Sequence, residues 1–155
     1  TVQFDTAYGG PEKPAVFNTL QSWTSHPDAG IQYYSGTAKY KHSFKWDRKQ
    51  KGKVWLTMDS VFNIATVKVN GIECGTVWTK PYRVDISQAI RRGKNTIEIS
   101  VSNTWANRLI GDQQLPESKR VTWTTAPFRL AGKPLLPAGI MGTVQVEEVS
   151  VGNKK

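Results

Sequence analysis

Ala38-Lys39-Tyr40-Lys41-His42-Ser43-Phe44-Lys45-Trp46 alternates without a slip. The even positions carry alanine, three aromatic residues and a histidine; the odd positions carry three lysines and a serine. A strand repeats every two residues, so this segment predicts a β-strand with one aromatic face and one basic face. His42 lies on the aromatic side and is expected to be a satisfied core or interface histidine.

The same period extends outward in both directions. Val54, Leu56 and Met58 alternate with Trp55 and Thr57, and the polar stretch from Asp47 to Gly52 reads as the turn joining the two strands. Ala65, Val67 and Val69 alternate with Thr66 and Lys68 and then meet Asn70-Gly71. That dipeptide tolerates the positive φ angles of a type I′ turn, so Ile72 and Cys74 should return along a partner strand. Ile97, Ile99 and Val101 predict another strand, as do Val144 and Val146, with Val149 out of phase at a bulge or a strand end. Thr1 to Asp5 also reads as a strand. The one helical signal is Ser87 to Arg92, capped by Asp85 or Ser87 and closed by Gly93. Gly9–Gly36 and Asn103–Gly142 read as long connections, functional or packed against the body of the domain. Short strands punctuated by glycine and proline predict an all-β fold, an antiparallel sandwich or barrel.

The chain has 155 residues, a size suited to one core, so residues 1–155 are read as a single β-sandwich domain. Six tryptophans, five tyrosines and five phenylalanines with only 21% charged residues exclude intrinsic disorder. The longest mostly apolar stretch, Pro134 to Gly142, falls far short of the ~20 residues a membrane helix needs. Cys74 is the single cysteine, which excludes an internal disulfide and a cysteine-based zinc site. Net charge is +9, which raises anionic partners such as nucleic acid, acidic glycan or a membrane surface. Seven of the 21 basic residues fall between Lys39 and Lys53, where a solvated sheet face and hairpin tip accounts for them. Nucleic acid is disfavoured there, because the aromatics of this strand point inward, away from the lysines.

Catalytic patterns are missing. Of twelve acids, Asp59, Glu73, Asp85 and Asp112 lie near strand ends, but spacing pairs none as a glycosidase would require, and Asp85 reads as a cap. His26 and His42 lack metal-ligand spacing, and no G-x-S-x-G elbow exists. No cofactor is called for; a structural calcium on loop carbonyls would leave little trace in sequence. Aromatics outside strands are more informative: Tyr33, Tyr34, Trp78, Tyr82, Trp105 and Trp123. Flat rings with a polar edge pack on the C–H face of a sugar, and neighbouring amide, guanidinium and carboxylate groups bond its hydroxyls. Trp78, Tyr82, Trp105, Asn107, Arg108 and Asp112 are therefore the carbohydrate-binding candidates. A purely structural reading has Trp105 plugging the end of the sandwich and Arg108 pairing with Asp112.

Tyr40-Lys41-His42-Ser43-Phe44, Val54-Trp55-Leu56, Ala65 to Gly71, Gly75, Trp78, Pro81 to Ile86 and Gly93 to Ile97 resemble the jelly-roll, galactose-binding-like domain of family 2 glycoside hydrolases. The flanks Phe4-Asp5, Gly9-Gly10-Pro11, Ser22-Trp23-Thr24, Ile31 to Ala38, Trp105 to Asp112 and Leu136 to Ile140 are similar to the C-terminal region of bacterial α-L-rhamnosidases of family 106. The resemblance implies an antiparallel jelly-roll sandwich without its own active site. It also implies that the domain is a fragment of a larger multidomain enzyme, periplasmic or extracellular, whose catalytic domain is its partner. The start at Thr1, without an initiator Met or signal peptide, suits that expectation. The resemblance does not account for the strong basic charge.

Overall fold

A computed structural model describes residues 1–125 and 132–149. Among the described residues, eight strands form two antiparallel sheets: β1 (Val2–Gln3), β2 (Thr37–Trp46), β3 (Lys53–Phe62), β4 (Ile64–Val69), β5 (Ile72–Val77), β6 (Arg83–Asp85), β7 (Gly93–Ser102) and β8 (Gly139–Val149). Five of them pair in the order β1-β2-β7-β4-β5, and three in the order β6-β3-β8. The fold is the all-β, galactose-binding-like sandwich that the alternation and the resemblance predict.

Alternation places the core. Ala38, Tyr40 and Trp46 of β2, Ile97, Ile99 and Val101 of β7, and Ala65, Val67 and Val69 of β4 line the inner face of the larger sheet. Val54, Leu56, Met58 and Val84 meet them from the smaller sheet. Each fully buried side chain of this size contributes roughly 1.5–3 kcal/mol relative to exposure. Asn70 (φ 51°) and Gly71 (φ 82°) make the two-residue turn between β4 and β5, with Val69 opposite Ile72.

The long connection after β1 is not a loose loop. Phe4, Trp23 and Tyr34 stand edge to face at 4.9–5.6 Å and close one flank of the core. Trp23 Nε1 donates to Tyr40 Oη at 2.6 Å, and the Ile140 amide donates to the same oxygen at 3.1 Å. Burial pushes the Tyr40 phenol up to about 12, with those two donors pulling the other way. Gly139 (φ +90°) is required beside them, since a Cβ there would sit 2.3 Å from Trp23 Nε1.

Ser87 to Arg92 forms a single turn, the short connector expected of it: Asp85 caps it through Ser87, and Asn95 then binds both the amide and the carbonyl of Arg91. Other expectations need correction. Helices occur instead inside the long connections, as α1 (Ala29–Gln32) and α2 (Ala106–Asp112). The N-terminal strand is two residues long, since Asp5 turns to cap the next segment at Ala7. Val149 stands at the end of β8, one of the two readings of its phase, and the strand carries its bulge at Gly142-Thr143, where Met58 faces Val144 while Ser60 faces Met141. Asp59 pins it, accepting from the Thr143 amide and hydroxyl at 2.7 and 2.8 Å.

His42 is exposed rather than satisfied in the core. It points to the inner side, but the three-stranded sheet is too narrow to cover this end of β2. The result is an open apolar cavity of about 430 Å³ lined by His42, Phe44, Ile97, Val144 and Val146.

Asn95, directly across from Phe44 in the strand pair, ties the neighbouring turns together. It is fully buried, donating to the Arg91 and Gly93 carbonyls and accepting from the Asn70 side chain and the Arg91 amide at 2.7–2.9 Å. Two donors and two lone pairs are all a primary amide possesses, so every one is used.

Candidate functional site

β7 ends at Ser102, and the chain turns into α2 as a strap across one end of the sandwich. Asn103 fastens the turn, donating to the Tyr34 carbonyl at 2.9 Å and accepting from the Gly36 amide at 2.9 Å. The strap is held by polar groups rather than an apolar stripe. Asn107, Arg108 and Asp112 are only 2%, 5% and 3% exposed. The Asn107 amide binds the Leu136 backbone in both directions at 2.8 Å. Arg108 Nε lies 3.0 Å from Asp112 Oδ1, one helical turn away. Asp112 Oδ2 accepts from the amides of Val121 and Thr122 and from the Thr122 hydroxyl at 2.6–3.1 Å. The bonds to Oδ2 and the facing guanidinium offset the desolvation of the buried Asp112 carboxylate.

Two glycines give the guanidinium its room. A Cβ at Gly9 would lie 3.0 Å from Arg108 Nη1, and one at Gly111 would lie 2.8 Å from Nη2 and 2.6 Å from the Tyr33 ring. The strap therefore packs directly on the first long connection.

Rigid polar groups beneath leave aromatic rings on top. Trp105, just before α2, is 49% exposed and stands edge to face with Tyr8, ring centroids 5.5 Å apart. Trp123 is 82% exposed beside a cleft of about 380 Å³ lined by Asp112, Gln113, Glu117, Arg120 and Trp123. Arg120 Nε donates to the Asp112 and Leu115 carbonyls at 3.2 Å, which holds that wall.

Trp78 follows β5 and is 67% exposed. Val77 pairs with Ala65 and Ala65 with Val101, so Trp78 and the strap leave the sheet at the same end. Two strand spacings separate them, about 10 Å, with exposed Ile64 between. Tyr82 is half-buried against the core, and its carbonyl accepts from the Met58 amide at 2.9 Å.

The structure thus joins Asn107, Arg108 and Asp112 into one buried unit, sets Trp105 at its rim, and keeps Trp78 and Tyr82 on a separate loop. The cleft residues Gln113, Glu117 and Arg120 were not singled out by the sequence; the exposed Trp123 in a long connection was the available signal. Asp85 is the cap it was read to be: Ser87 donates its amide and hydroxyl, Lys53 stands 3.1 Å away, and the carboxyl falls to about 2.

Residues 24–134 match a family model described as the glycosyl hydrolase 2 galactose-binding domain-like family. The chain belongs to that family. Over 94% of its length it superposes on the rhamnosidase from Novosphingobium sp. PP1Y, with a TM-score of 0.86 and 40% identity. A putative beta-glucuronidase of Formosa agariphila is 42% identical over 103 residues, 64% of this chain. The β-glucuronidase of Ruminococcus gnavus shares the fold, with a TM-score of 0.56, 23% identity and 66% of this chain covered. The chain spans only 14%, 9% and 20% of those three proteins. It is a domain of the kind that glycoside hydrolase chains carry. Among the described residues no helix is long and apolar enough to cross a membrane.

Proposed function

We propose that residues 1–155 form a single accessory domain, itself non-catalytic, of a larger secreted glycoside hydrolase, α-L-rhamnosidase-like in its substrate class. Its partner is the catalytic domain of the same polypeptide, in the periplasm or outside the cell. The strap end presents carbohydrate to that domain. Trp105, Trp78 and Trp123 supply ring faces, while Tyr82 supports the Trp78 loop. Asn107, Arg108 and Asp112 act as positioning residues, since their polar groups are committed to the strap.

The observation that carries this reading is the pairing of exposed rings with a rigid polar base at one end of a galactose-binding-like domain. A ring stacked on a sugar contributes about 1 kcal/mol beyond burial, so a single site binds weakly. Titrating isotope-labelled protein with L-rhamnose, D-glucuronate and their oligosaccharides tests it. Shifts should gather on Trp105, Trp78 and Trp123 and vanish in Trp105→Ala. Silence toward every sugar would favour a purely structural domain, for which the bonds of Asn107 to Leu136 and of Asp112 to Val121 and Thr122 speak. Turnover of an aryl α-L-rhamnoside that disappears on changing one acid of this chain would overturn the non-catalytic reading.

A further inference from the structure

We propose that the end of the sandwich opposite the strap is a second binding face, for a polyanionic glycan bearing carboxylate or sulfate groups. Strand register builds it. Trp46 pairs with Gly93, so the β2–β3 connection and the turn before β7 emerge side by side. They bring together Lys45, Arg48, Lys49, Lys51, Lys53, Arg91, Arg92 and Lys94, all exposed.

Little opposes this charge. Asp47 pairs with Lys45 at 3.2 Å and Asp85 with Lys53 at 3.1 Å. Glu148 accepts the Lys51 and Gly52 amides, which holds its carboxyl below the usual range. Among the described residues Arg48, Lys49, Lys51, Arg91, Arg92 and Lys94 form no ion pair. Lys45 stands directly opposite Lys94 across the antiparallel pair, an arrangement that destabilises a sheet. An anionic group between the two ammonium groups turns that repulsion into attraction. Arg91 is held in place as Nε donates to the Lys94 carbonyl at 3.3 Å, leaving its terminal nitrogens for a forked contact with carboxylate or sulfate.

The chemistry favours glycan over nucleic acid. Bound single strands stack on aromatic platforms, and the exposed aromatics among the described residues, Tyr8, Trp78, Trp105 and Trp123, lie elsewhere. The choice of glycan among polyanions rests on the glycoside hydrolase reading above; the electrostatics do not.

Calorimetry of the 155-residue chain with polygalacturonate, heparin, neutral dextran and duplex DNA, each at 50 and 200 mM salt, tests the proposal. Both anionic glycans should bind, more weakly at high salt, and dextran should not bind at this end. Arg48→Ser/Arg92→Ser/Lys94→Ser should lose about tenfold in affinity, while the equally discharging Lys13→Ser/Lys80→Ser/Lys119→Ser should lose far less. Equal losses would reduce the effect to net charge and overturn the proposal. So would tighter binding to DNA, or no binding to either glycan. Sugar shifts at Trp105 should survive in the first triple variant, so failure here is distinct from failure of the strap-end reading.

Discussion

At the strap end, Arg108 and Asp112 bury opposite charges against each other. At the far end, Lys45 and Lys94 hold like charges side by side in water. The residue types are similar and their roles differ. Charges inside the strap face each other, with Asp112 Oδ2 also bonded to Val121 and Thr122, and act as architecture. At the basic end Lys45 and Lys53 have carboxylate partners, and among the described residues the other basic side chains form no ion pair and can meet a ligand. Burial, more than residue type, separates the two roles.

The largest test of this contrast is Arg108→Ala. It leaves the Asp112 carboxylate buried without its cation and should cost about 3–5 kcal/mol, read as a drop in urea midpoint. A loss no greater than that of a surface lysine would mean that the strap charges are not structural. Gly71→Val should cost about 1–2 kcal/mol, because a β-branched residue at φ 82° is strained although space is open around it. An unchanged midpoint would count against the turn.

Asp85 gives a test by pH. Its carboxyl is depressed to about 2 from 3.8, so its stabilisation is present above the unfolded value and fades as pH falls from about 4 toward 2. The stability gap between the protein and Asp85→Asn should close over that window; a constant gap would sink the assignment. The smallest effect is expected at Lys94→Glu. Reversing one of two facing like charges should stabilise the protein by roughly 0.2–1 kcal/mol at low salt and less at high salt. Destabilisation would mean that the two ammonium groups do not interact.

The strands were legible because a two-residue period is written in adjacent letters: Ala38 to Trp46, Ala65 to Val69 and Ile97 to Val101 are strands with the predicted faces. The Asn70-Gly71 turn and the Asp85 cap were legible because each is local chemistry. The strap helix was hidden, since its buried face is Asn107, Arg108 and Asp112, with Ile110 the only large apolar side chain among them. No hydrophobic period announces a helix held by polar bonds. His42 shows a different limit. Alternation tells which face a residue takes, but not whether another sheet reaches far enough to cover it. The basic end was half legible. Lys39 to Lys53 form a visible run, whereas Arg91, Arg92 and Lys94 join it only through strand register.

Asn95 has a consequence for how much this sequence can vary. Its amide serves the hairpin turn at Asn70 and the basic turn at Arg91 and Gly93 at once. Aspartate in its place would set a negative oxygen against two carbonyls, serine would reach too few partners, and leucine none. In a saturation library selected for folding, position 95 should therefore retain one residue. Lys94 and Thr96, one step away on the solvent side, should accept most of the alphabet.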